Sequence, residues 1–337
     1  MMEIHAFPAS GNWYKGNLHC HSTNSDGRLT PQDVAELYRS HGYSFLAISD
    51  HDLYSDYRAE LDRDGFVILP AVEASAVLYR DERKDKAERL AVHHIHGILG
   101  TEEMADSAEC GTYRHLEKIP PKEFCGSWDG AAAAQEMTDD LLAHGCFAVY
   151  NHPVWSRVRE EDFIHTKGLT AIEIYNYGTV IESGTGFDSL RWDVMLREGT
   201  RIFATASDDN HNDESLPDSF GGYIVVKADR PDHESIVKAI LNGSYYSSSG
   251  PEIYDFGIQD GKVYVSCSPV CTVNFIAGSL INAGGSVLAE DGRDTLTDAQ
   301  LMLKGNESYV RAECIDCHGK TAWTNPIFLH AGEMPAI

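Results

Sequence analysis

The stretch Asn17 to Gly27, NLHCHSTNSDG, sets two histidines one residue apart and an aspartate five residues after the second. Side chains alternate faces along a strand, so His19 and His21 share one face and Cys20 takes the other. Paired imidazoles near a carboxylate suit a metal. The same residue types recur along the chain: Asp50, His51 and Asp52 in FLAISDHD, Glu73 in FVILPAVEAS, His93, His94 and His96 in AVHHIHGILG, His152 in FAVYNHP, and Asp208, Asp209 and His211 in IFATASDDNH. With His19, His21 and the loop residue Asp26, each reads as lying at or near the C-terminal end of a predicted strand. Neutral imidazole suits zinc, manganese and iron, and carboxylates bridge neighbouring ions. The set predicts a multinuclear hydrolytic site with two to three divalent cations; magnesium also fits.

Such a site needs a frame that gathers strand ends. Between about residues 13 and 249, short apolar runs (YSFLAIS, CFAVY, TAIEIYN, RIFATAS) alternate with helical ones. TPQDVAELYRSHG has Thr30 as N-cap, Pro31 at the first helical position, Asp33 in the first turn and Gly42 at its end; Asp129 opens the next helix, and DHESIVKAILNG is the last. Alternation of this kind predicts parallel β/α units, a barrel or wound sheet, whose C-terminal strand ends converge on one rim. From Gly250 the texture becomes strand-like without helices, which predicts a small antiparallel sandwich. The expected organisation is a hydrolase barrel over 1–249, with an insertion at about 80–128, and a small β domain over 250–337. Within the insertion, RDERKDKAER reads as a solvated excursion.

The formal charge of −25 and the pI near 4.9 argue against a nucleic-acid duplex as partner. No apolar run is long enough to span a bilayer, and MMEIHAFPAS does not read as a secretory signal. These features predict a cytoplasmic chain acting on a small molecule. A homo-oligomer is compatible with the sequence, but no feature supports one. The CIDCH segment at Cys314 to His318 matches a haem-attachment pattern, and Cys267 with Cys271 would complete four thiolates for zinc; its place between two strand-like runs instead predicts a hairpin turn. His5, His41, His115, His144, His165, His233 and His330 receive no role in the site, and His41 and His144 are expected at helix C-termini.

The combined motifs resemble the PHP (polymerase and histidinol phosphatase) superfamily of metal-dependent phosphoesterases. H-x-H with S-D-G looks like His19, His21 and Asp26; D-H-D like Asp50 to Asp52; the acid after an apolar strand like Glu73; N-H-P like Asn151 to Pro153; and D-x-H like Asp209 to His211. The resemblance spans residues 13–249 and implies a distorted (β/α)7 barrel. It implies one ion among His19, His21, Glu73 and Asp209, a second held by Glu73, His94 and His152, and a third by Asp26, His51 and His211. His96 stands as the alternate to His94. Asp208 competes with Asp209, which the spacing to His211 favours. The C-terminal AWTNPIF resembles the β-sandwich appended to some members, read here as a packing or dimerisation module.

A metal-bridging hydroxide would then attack a small phosphate ester, such as a nucleotide or sugar phosphate. Glu73 bridges ions, Asp50 and Asp208 orient ligands from behind, and Arg28 contacts a further phosphate of the substrate. The same hydroxide would also cleave carboxylic esters, amides or carbamates, and a catalytically silent metal-binding module is the third reading.

Overall fold

The computed structural model describes residues 3–290 and 292–329, so His330 lies outside the described residues. The main sheet runs from Phe203–Ser207 through Leu169–Asn176, Cys146–Tyr150, Arg89–Leu99, Val67–Tyr79 and Phe45–Ile48 to Asn12–Asn17. Most neighbouring pairs are parallel, as the β/α alternation predicts. Helices Pro31–Ser40, Gly130–Ala143 and Ser189–Arg197 precede strands of this sheet. The first starts as its sequence dictates, with Thr30 Oγ1 accepting from the Asp33 amide at 3.2 Å. His41 and His144 cap their helices, each ring Nδ1 donating to a carbonyl one turn back, at 2.8 Å.

One strand breaks the expected pattern. Arg89–Leu99 is antiparallel to both neighbours. It returns from the 13-residue strand Val67–Tyr79 after only residues 80–88, too short a connection for a helical crossover. Glu73, His94 and His96 therefore sit within a long hairpin rather than at C-terminal strand ends, which corrects that part of the expectation. Residues 101–128 hold a short helix, Glu102–Asp106, and the strand Lys122–Cys125, which pairs parallel to the outer end of Val67–Tyr79.

The sheet does not close into a barrel. The second edge of Asn12–Asn17 is already taken by the antiparallel strand Tyr223–Ala228, so Phe203–Ser207 cannot pair along it. The first and last elements meet only beyond their strands. There the Asp209 amide donates to His19 O at 3.1 Å and the His21 amide to Asn210 O at 3.1 Å. Those contacts lie in the HCH and DDNH motifs themselves.

Past residue 249 the sheet continues, Thr321–Thr324 pairing with Tyr245–Ser248 and then with Tyr309–Ile315. A second sheet of Ile4–His5, Ile253–Gln259, Lys262–Val270 and Leu296–Met302 packs on it through Phe256, Val263, Val265, Val273, Phe275 and Ala312. CIDCH forms a turn, with the Asp316 amide donating to Lys320 O at 2.9 Å. Cys314 is buried and Cys317 exposed, and among the described residues no cysteine joins a group spaced to hold an ion. No helix among them is long and apolar enough to cross a membrane.

Candidate metal centre

Strand alternation decides which histidines look inward. Glu73 stands directly across the hairpin from His96, and Ser75 from His94, so the three functional side chains share one face. His93 takes the other face, where it stacks on Trp128 at 4.5 Å and bonds the Tyr150 hydroxyl. His94 and His96 thus both face Glu73. The choice between them falls away, since each reaches the carboxylate's surroundings.

Around Glu73 the buried nitrogens crowd closely. Glu73 Oε1 lies 3.2 Å from His19 Nε2, 3.2 Å from His94 Nδ1 and 3.3 Å from His152 Nε2. Its Oε2 lies 2.9 Å from His51 Nδ1 and 3.4 Å from His21 Nε2. Asp209 Oδ1 is 3.1 Å from both His19 Nε2 and His21 Nε2, which are themselves 3.2 Å apart. Asp26 projects from its loop toward His51 and His211, at 3.6 and 3.4 Å. Four sets of donors lie within 4.8 Å of one another: His21, Asp26, His51, His211; His19, His152, Asp209; His19, Glu73, His96; and His51, Glu73, His94.

The donor chemistry fits divalent ions. Glu73 Oε2, His51 Nδ1, His94 Nδ1 and His96 Nε2 are buried without a hydrogen-bond partner. Orphaned polar atoms in a dry interior cost about 1–3 kcal/mol each. Here they point at one another. Burial holds the His94 imidazole down to about 4 and that of His96 well below the usual range, keeping both neutral as metal ligation requires. Burial would raise Glu73 and Asp209, yet the facing imidazoles hold both carboxyls well below their usual range. His21 goes the other way: against its burial, Asp209 and Glu73 lift it to about 10.

Supporting groups fix the ligands. His19 Nδ1 donates to Glu173 Oε1 at 3.0 Å, which leaves Nε2 with its lone pair toward Glu73 and Asp209. Glu173 also accepts from the His152 amide and from Asn176 Nδ2, at 3.1 and 2.8 Å, while Asn151 Nδ2 holds Glu73 Oε1 at 2.8 Å. Glu173 was absent from the sequence-based set. Its signal was a lone acid flanked by isoleucines in an almost wholly buried strand, where a buried carboxylate must find a donor.

Asp208 and Asp50 lie behind this cluster. Asp208 accepts from Tyr38 Oη and the Phe220 amide, each at 2.7 Å, and from the Gly221 and Gly222 amides, each at 2.8 Å. Asp209, held at φ 53°, is the neighbour that faces the histidines. Asp50 accepts from the Ser22 amide and hydroxyl at 2.8 and 2.7 Å and from Ser25 Oγ at 2.7 Å. It shapes the loop that presents His21 and Asp26. Arg28 lies at the surface, 3.5 Å from Asp213, and the arginine that lines the cleft is Arg89. The cleft over the cluster holds 340 Å³ and is bordered by Trp155, Glu182, Asp213 and Asp218 as well.

No family model matches the chain, and no curated protein matches its sequence. Solved structures resemble it in part. A two-domain protein of Bacteroides vulgatus, described as containing a PHP-like metal-dependent phosphoesterase by prediction, is 12% identical with a TM-score of 0.46, over 97% of this chain and 98% of that one. A proposed metal-dependent phosphoesterase of Bifidobacterium adolescentis is 14% identical, TM-score 0.42, over 70% of this chain and 97% of that one. An amidohydrolase of Chromobacterium violaceum, with sulfate bound and no metal, is 17% identical, TM-score 0.36, over 58% and 87%. Likeness at this level leaves the chemistry of the chain to its own side chains.

Proposed function

We propose that the chain is a metal-dependent hydrolase of small phosphate esters, its first 249 residues a hydrolase unit of the PHP type built on an open sheet. One observation supports this most: Glu73 Oε2 and His51 Nδ1 lie 2.9 Å apart, buried, and neither has a hydrogen bond. A cation between such groups satisfies both. His19, His21, Glu73, His94, His96, His152 and Asp209 would hold the inner ions, and Asp26, His51 and His211 an outer one. Divalent ions bound there supply a nucleophile at neutral pH and positive charge for the phosphoryl oxygens.

The chain's own residues set that chemistry up. Glu173 keeps the His19 proton on Nδ1. Asn151 fixes the rotamer of Glu73, the carboxylate shared by two of the four donor sets. Asp50 and Asp208 are positioning residues, one for the Ser22 to Asp26 loop and one for the turn at Phe220. His211 Nε2 faces Asp26 at 3.4 Å; against burial, the hydrogen bond and charge of Asp26 together with the charge of Asp209 raise its imidazole.

Elemental analysis of the protein purified without added metal, paired with phosphate release from nucleotide and sugar phosphates, tests the proposal. Two to three ions per chain with phosphate release are expected. Ions with turnover of aryl esters but not of phosphates would move the assignment to ester or amide hydrolysis. A chain that binds no ion even after reconstitution would end the catalytic reading.

A further inference from the structure

Beside the metal cleft a smaller depression of 200 Å³ opens, and Arg89 and Trp155 line both. Lys86, Leu90 and Arg157 complete the part of its wall that matters here, and no acidic side chain lines it. In a chain with 52 acidic and 27 basic residues such a place is unexpected. Most arginines here pair with carboxylates, as Arg39 does with Glu36, Arg58 with Asp56 and Arg311 with Glu313. Among the described residues Lys86 and Arg157 have no such partner, and Arg89 Nε donates only to the Lys86 carbonyl, at 3.2 Å.

The backbone holds these cations together. Arg157 adopts φ 58°, a left-handed conformation that strains a non-glycine residue. The Val92 amide donates to Ser156 O at 3.0 Å, tying this turn to the start of the Arg89–Leu99 strand. Trp155 is fixed between the two depressions, its Nε1 donating to Glu182 at 2.9 Å and its ring 5.1 Å from that of His152. Gathered cations repel one another unless an anion joins them.

We infer that this depression binds a second anionic group of the substrate. The class is then phosphate esters whose alcohol part itself carries a phosphate or a carboxylate. The ester half of this statement rests on the proposed function, whereas the anion site rests on Lys86, Arg89 and Arg157 alone. Guanidinium forks suit either oxyanion.

Calorimetric titration of inorganic phosphate into the metal-loaded full-length protein separates the two. The wild type is expected to take up two phosphates per chain and the double variant R89Q/R157Q one, while R89K/R157K regains the second with weaker affinity. Acetate that competes for the second phosphate admits carboxylates; acetate without effect restricts the class to bisphosphates. One phosphate in the wild type and none in R89Q/R157Q would uphold the anion site while removing phosphate binding at the metals. Equal stoichiometry and affinity in wild type and R89Q/R157Q would overturn the inference. In turnover, the kcat/KM ratio of a sugar bisphosphate to its monophosphate should fall about tenfold or more in R89Q/R157Q, and an unchanged ratio would equally overturn it.

Discussion

Adjacent residues with the same side chain can do opposite work, and Asp208 and Asp209 are the case in point. Asp209 meets the imidazoles of His19 and His21, while Asp208 turns away to receive four donors from Tyr38 and the Phe220 to Gly222 backbone. Asp209→Asn is expected to lose at least one ion per chain and to lower turnover by about a hundredfold or more, read by elemental analysis and kinetics. Asp208→Asn should instead destabilise the chain by about 1–3 kcal/mol, since one carboxylate oxygen becomes a donor facing N–H groups. Its folded fraction should keep its ions. Metal loss in Asp208→Asn without a change in melting would reverse the two roles.

Helix His233–Leu241 carries a titration of its own, remote from the metal centre. Burial, with the charge of Arg58, holds His233 down to about 4. An imidazole with a folded pKa below its unfolded one stays neutral in the fold while the unfolded chain gains a proton. Its contribution is therefore complete above about pH 6.5 and is lost as pH falls from there toward 4. The loss approaches 1.4 kcal/mol per pH unit at most, about one proton's worth. His233→Gln should flatten the dependence of denaturation midpoint on pH in this window and leave it unchanged at pH 8. A wild-type midpoint that does not fall between pH 6.5 and 4 would contradict the account. Elements also explain where strand reading went astray: Val67–Tyr79 is buried almost throughout and Arg89–Leu99 from Val92 onward, so their sequences do not distinguish a parallel unit from an antiparallel hairpin.

Across the whole molecule the donor cluster joins the ends of Asn12–Asn17 and Phe203–Ser207 to the hairpin of Val67–Tyr79 and Arg89–Leu99, so ions bound there would bear on the stability of the entire sheet. Chelation should lower the melting temperature by several degrees, because a ligand at a hundredfold excess over its Kd contributes about 2.7 kcal/mol. Returning manganese, zinc or iron should restore it. An unchanged melt with the ions demonstrably removed would show that the ion pairs of Glu73 and Asp209 with their histidines suffice. Much of this centre was legible beforehand, since residue type and alternation alone put His19 with His21 and separated His94 and His96 from His93. Local spacing carries that information because strand geometry is regular. The sequence alone also determined the acidic charge and the alternation of strands with helices. Only the tertiary structure decided that Glu173 holds His19, that Arg89 rather than Arg28 borders the cleft, and that the sheet stays open. Those outcomes depend on irregular turns and on which edge of Asn12–Asn17 is already paired, and such contacts between distant segments leave no periodic trace in the chain.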